Sequence, residues 1–177
     1  MKKRLSEEEI KQLYLYCKTP AHVIGHCRAV ADTAVKLGEA LNGKGFHFDL
    51  ALLRSAGLAH DMARLQEDHG GAAADILEKM GYQDEADIIR GHMTYALAKT
   101  VSELTECDLV CLADRLVMED HYVGLDKRFD YILHKNEHRA LAAEHILEAK
   151  AQTRKLMDGM EAVIGRSIDS LFSEKDA

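Results

Sequence analysis

The stretch GLAHDMARLQEDHGG, Gly57 to Gly71, decides how this chain is read. The residues leading into it repeat with helical spacing, and His60 follows Leu53 and Ala56 along one face. Asp61 follows Gly57, where a missing side chain leaves room for close helix approach, and His69 comes eight positions after Asp61. A helix entering a core therefore carries a histidine and a carboxylate where aliphatic side chains belong. An ordinary helix end does not need that arrangement.

Outward from this stretch the same periodicity continues, and no segment alternates as a half-buried strand for more than a few residues, so the spacing predicts an all-α protein. The first helix opens on the capping pattern Ser6 to Glu9. The second is expected to start with Thr19 as N-cap and Pro20 at its first position. From Val23 an apolar stripe runs through Cys27, Val30, Ala34, Leu37 and Leu41 and breaks at NGKG. Further helices are expected near 49–62, 69–80, 84–93, 102–119 and 137–158. Val163, Ile164, Ile168 and Leu171 follow the last of these, and the sequence leaves open whether they pack on the body or on a second copy in a homo-oligomer.

With 177 residues, 47% of them apolar and 30% charged, and a single proline, the chain suits one folded domain. Lys and Arg total 23 against 30 Asp and Glu; a net charge of -7 opposes wrapping a nucleic acid polymer but leaves room for a small phosphorylated ligand at a local cationic site. Four cysteines lack the density of a secreted disulfide scaffold, and Cys107 and Cys111 stand one helical turn apart, so reduced thiols are expected. MKKRLSEEEIK turns acidic with no apolar run behind its positive charges, and no apolar run of membrane-spanning length follows; the expected location is the cytoplasm, away from membranes.

Polar residues recur on inward faces. His26 lies with Val23, Val30, Thr33 and Leu37; His69 leads Ala72, Ala73 and Ile76; His92 follows Ile88 and Ile89. In LTECDLVCLADRLVM, Leu104, Cys107, Cys111, Asp114 and Met118 form one stripe with a carboxylate in the fourth place. Burying an unpaired carboxylate costs several kcal/mol, so Asp61 and Asp114 require partners. Arg64 and Arg115 are offset from the inward faces, whereas a cation held by imidazoles and carboxylates satisfies all of these groups together. A donor set without thiolate suits iron, manganese or zinc.

At His26, His60-Asp61 and Asp114 the chain resembles the HD-domain phosphohydrolases, whose signature is a His, a later His-Asp pair and a distant Asp. Within them it is most similar to the YqeK group, hydrolases of diadenosine tetraphosphate, on DHGGAAADIL, IIRGHMTY and LADRLVMED. The resemblance covers about residues 20–130, with a helical extension over about 137–177. It implies an HD-type helical bundle in which His26, His60, Asp61, His69, His92 and Asp114 hold two metal ions, most readily iron, with Asp61 bridging. Arg64 stands where the family usually has Lys, TYALAK replaces a usual Gly-Arg, and the extension of the cyclic-di-GMP hydrolases is missing.

The expected chemistry is attack of a metal-activated hydroxide on a small nucleotide or phosphoester, such as a dinucleoside polyphosphate, since paired cations acidify water and clamp a phosphoryl oxygen. Asp61 and Arg64 are the expected catalytic residues, with Arg90 and Arg128 as further phosphate contacts. The alternative is a metal-binding regulatory or partner module that associates through its long C-terminal helix. His22 is read as a solvent-facing helix-start residue, and His134, His138 and His145 as a solvated face. Gly70 and Gly71 either free backbone N–H groups for phosphate or ease a turn.

Overall fold

The computed structural model describes residues 3–92 and 95–173; Met93 and Thr94, in the IIRGHMTY segment and at the end of the expected helix 84–93, lie outside them. In chain order the elements are α1 (Glu7–Cys17), α2 (Ala21–Asn42), α3 (Leu50–Ala59), α4 (His69–Lys79), α5 (Gln83–Gly91), α6 (Glu106–Asp114), β1 (Val117–Met118), β2 (His121–Tyr122), α7 (Leu125–Lys135), α8 (Ala140–Ile164) and α9 (Ser170–Ser173). A 3-10 turn at Val101–Glu103 precedes α6. The all-α expectation holds, apart from the short antiparallel pairing of β1 with β2.

Local chemistry sets most of the boundaries. At α1 the Ser6 hydroxyl accepts from Glu9 N–H while the Glu9 carboxylate accepts from Ser6 N–H, the expected capping box. The expected start of α2 is corrected: Pro20 is the N-cap, and the Thr19 hydroxyl donates to the Met62 carbonyl at 2.6 Å, tying this turn to the segment after α3. α3 stops at Ala59, before the expected end at 62, because His60 bonds back to Gly57 and the chain turns through 60–66. α6 stops at Asp114, before the expected 119, because Val123 and Gly124 N–H both reach the Leu116 carbonyl and fold the chain into the hairpin. The helix expected at 137–158 is α8, and α7 precedes it; α7 buries only Leu125 and Phe129, too few apolar positions to mark it by periodicity.

α2 is the central helix, and α3 packs against it. On one side Val23, Cys27 and Ala31 join Leu58, Ala59 and Met62, Ala73, Ala74 and Leu77 of α4, and Ala86 and Ile89 of α5. On the other, Val30, Ala34, Leu37 and Leu41 meet Leu53, Leu109 and Leu112, Phe129, and Met157 and Met160 of α8. Ile164, Ile168 and Leu171 belong to this second cluster, so the tail packs on the body, while Val163 remains exposed. All four cysteines are free thiols. No helix among the described residues is long and apolar enough to cross a membrane.

Gly57 is where α3 meets α2 most closely: a Cβ there would lie 2.6 Å from Ala31 Cα and 3.0 Å from Ala31 N. Backbone cannot yield as a flexible side chain can, so Gly57→Ala is expected to cost about 3 kcal/mol, the upper part of the usual overpacking range. Urea denaturation should show a lower midpoint at unchanged slope.

A second expectation concerns pH. The Tyr82 hydroxyl donates to Glu9, and with the Ser6 backbone and hydroxyl it holds the Glu9 carboxyl at about 2. A carboxylate depressed on folding adds stability above its unfolded value, and that stability is lost as pH falls toward the folded one. Glu9→Gln should therefore lower the melting temperature at pH 7, and the gap to the native protein should close between about pH 4.5 and 2.

Candidate metal centre

Three histidines are fixed by the same device. His60 and His92 are the C-caps of α3 and α5, and their Nδ1–H groups donate at 2.7 Å to the Gly57 and Ile89 carbonyls. His26, in the first turns of α2, donates from Nδ1 to the Glu119 carbonyl at 2.9 Å. A carbonyl can only accept, so Nδ1 carries a hydrogen in each of the three, and Nε2 is the ring atom aimed inward. Glu119 lies in the β1–β2 turn with φ 55°, in the left-handed region. The hairpin is therefore what aims its carbonyl at His26.

The inward atoms form two triads. His26, His60 and Asp114 make one, and Asp61, His69 and His92 the other; within each, one donor atom per residue lies within 4.8 Å of the others. Asp114 Oδ1 lies 3.0 Å from His26 Nε2, and Asp61 Oδ1 lies 3.2 Å from His69 Nε2 and 3.5 Å from His92 Nε2. Asp61 Oδ2 lies 3.9 Å from His60 Nε2, so this carboxylate presents one oxygen to each triad. Successive imidazole centroids, His26 to His60, His60 to His92 and His92 to His69, are 5.3, 5.5 and 5.4 Å apart.

Burial alone would push both aspartates toward neutrality. For Asp114 the His26 hydrogen bond and the charges of His60, His26 and Arg128 outweigh it and hold the carboxyl at about 2. For Asp61 the His92 contact and the charges of His60 and Arg64 do the same, well below the usual carboxylate range. Burial depresses His60, which favours its neutral form. His60 Nε2 and His92 Nε2 are buried without a hydrogen-bond partner. Buried acceptors left unpaired beside ionised carboxylates are expensive. A divalent cation removes that cost, and the donor set of imidazole and carboxylate fits one.

All six residues singled out in the sequence are thus brought together. Arg64 stands at the rim with Nη1 3.2 Å from His69 Nε2 and 3.5 Å from Asp61, its side chain 46% exposed. Arg115 turns away as expected, donating to Thr153 Oγ1 and the Tyr95 carbonyl. Arg90 is corrected: it pairs with Asp75 and Glu78 on the surface, outside the centre. The N–H of Gly71 is taken by Asp68, and a Cβ on Gly70 would meet the Ile89 carbonyl at 3.2 Å and the His92 ring at 3.4 Å; these glycines serve packing rather than phosphate. His134, His138 and His145 are exposed, on α7, the following turn and α8 rather than on one helical face. The triads open into a cleft of about 380 Å³ that His22, exposed, also borders. Arg128, Tyr131 and Lys135 line its far wall. The Glu119 carbonyl and the last two of these wall residues escaped the sequence reading; basic residues without an acid one turn away were the only available signal.

A helical bundle that gathers two partly buried His–Asp triads at the floor of an open cleft has a donor set that could hold divalent cations. The HD domain model matches residues 23–119, more than half of the chain, and the chain belongs to that family, whose members are generally metal-dependent hydrolases. An uncharacterized protein of Methanocaldococcus jannaschii is 31% identical over an alignment covering 65% of this chain and 79% of that protein. No solved structure matches the chain.

Proposed function

We propose that the protein is a metal-dependent phosphohydrolase acting on a small nucleotide or phosphoester. The observation that carries this reading is Asp61, a carboxylate with one oxygen toward each triad, at the floor of an open cleft beside an exposed arginine. His26, His60 and Asp114 would hold one cation and Asp61, His69 and His92 a second, with Asp61 shared. Iron is favoured, with manganese or zinc as alternatives. Cations bound there would acidify a water and neutralise charge on a phosphoryl group.

The chain's own residues supply the rest. Backbone carbonyls of Gly57, Ile89 and Glu119 fix the imidazole orientations, and Arg64 would donate to a non-bridging phosphoryl oxygen. The similarity to the YqeK group points to dinucleoside polyphosphates among the substrates. A metal-binding regulatory module is the second reading; the exposed Arg64 beside the triads favours the enzyme, since a purely structural centre has no use for a cation at its mouth.

The test is turnover of bis-p-nitrophenyl phosphate and a nucleotide panel by protein loaded with iron or manganese. Chelation should abolish hydrolysis, and the metal should restore it. Fully loaded protein that cleaves nothing in the panel would leave only the regulatory reading.

A further inference from the structure

α7 carries its charges on two faces. Its acids turn to α8: Asp126 and Asp130 meet Lys150 at 2.9 and 3.2 Å, and Asp126 lies 3.9 Å from Arg154. Its bases Arg128 and Lys135, with Tyr131 between them at i+3, line the cleft over the triads. Among the described residues neither base forms an ion pair, and Arg128 acts on Asp114 only through longer-range charge, although the chain carries a net charge of -7. Arg128 Nε is buried with no hydrogen-bond partner. A guanidinium N–H withdrawn from water into a cleft wall is costly unless something in the cleft accepts from it. Tyr131 is 39% exposed, and Lys135 Nζ lies 4.6 Å from the centre of its ring, which holds the ammonium over the same opening. α7 begins after residue 119, beyond the stretch matched by the HD model.

We propose that the Arg128–Tyr131–Lys135 face of α7 is a second anion subsite, which binds a phosphate of the substrate other than the one at the metal triads. The protein then selects compounds with two or more linked phosphates over phosphomonoesters. The inference rests on the reading of the cleft as a phosphoester site and gives that site its substrate class. Arg128 supplies a planar fork for two oxygens of one phosphate, and Lys135 a mobile point charge for its neighbour.

The experiment is calorimetric binding of imidodiphosphate, a diphosphate with a P–N–P bridge, and of orthophosphate to manganese-loaded protein. The native protein should prefer imidodiphosphate, and Arg128→Ala should shrink the ratio of the two affinities about tenfold, the worth of one charge-assisted hydrogen bond. Lys135→Ala, at an exposed position where folding is not at stake, should shrink it in the same direction, and a melting curve checks Arg128→Ala. A ratio unchanged in both variants overturns the subsite, as does an equal loss of affinity for both anions. Because binding is the readout, a protein that hydrolyses nothing yet shows the Arg128-dependent preference removes the hydrolase reading and supports this subsite.

Discussion

Asp61→Ala is expected to lower turnover about a thousandfold or more while the protein stays folded, the scale seen when a group shared by the whole catalytic unit is removed. Asp61 faces His69 and His92 with one oxygen and His60 with the other, so its loss weakens both triads at once. Metal content should fall well below that of the native protein, whereas His69→Ala, which touches one triad, should leave the His26–His60–Asp114 triad loaded. The fold should survive because the backbone around Asp61 is held elsewhere: Tyr14 donates to the Leu58 carbonyl, and Thr19 to that of Met62. Elemental analysis and a melting curve accompany the rate measurement. Full metal content in Asp61→Ala, together with a rate within tenfold of native, would show that the two triads do not depend on a common carboxylate.

How much of this was legible in the sequence depends on where each residue's partner lies. The six triad residues could be read because burial is a local property of helical spacing: Asp114 in a stripe with Cys107 and Cys111, or His60 one turn after Ala56, has few bland interpretations. What the pattern could not supply were partners distant along the chain. Thr19 looked like a cap, but the Met62 carbonyl takes its hydroxyl. The end of α3 depends on a side-chain bond from His60, and the hairpin that aims Glu119 at His26 is two residues per strand, too short to alternate visibly. α7 was missed because its cleft-facing side is basic rather than apolar, which belongs to its place in the site.

Buried carboxylates outside the triads were hidden for the same reason. Asp108 falls inside the helix expected over 102–119; it caps α6 with Thr105, and it also accepts from Ala98 N–H at 2.7 Å and from the Tyr95 hydroxyl at 3.3 Å. Through these bonds it secures the segment that leads from the metal centre into α6. Nothing in the local pattern announces those two contacts.

Glu85 is the extreme case, and it yields the largest expected stability effect. Its side chain is fully buried; one oxygen accepts from Ser55 Oγ at 2.9 Å and Leu5 N–H at 3.4 Å, while the other has no hydrogen bond and faces Arg4 Nη1 at 3.7 Å. Arg4, itself 14% exposed, also donates to Asp49 at 2.8 and 3.1 Å and to Asp84 at 2.7 Å. Asp49 is the N-cap of α3, and Asp84 and Glu85 lie in the first turn of α5, so one guanidinium ties the starts of the two helices whose far ends present His60 and His92. Arg4→Met removes the only cation that forms an ion pair with Glu85 among the described residues and should cost about 3–5 kcal/mol in urea denaturation at neutral pH. Adding Glu85→Gln should recover a good part of that loss, because the neutral amide no longer needs a counter-charge, and this recovery separates the electrostatic account from simple loss of packing. A penalty under 1 kcal/mol for Arg4→Met, or a double variant weaker than the single one, would mean that the N-terminal segment does not carry this charge. Where the variant remains folded its metal content should stay native, since the Gly57 and Ile89 carbonyls that orient His60 and His92 lie at the opposite ends of α3 and α5.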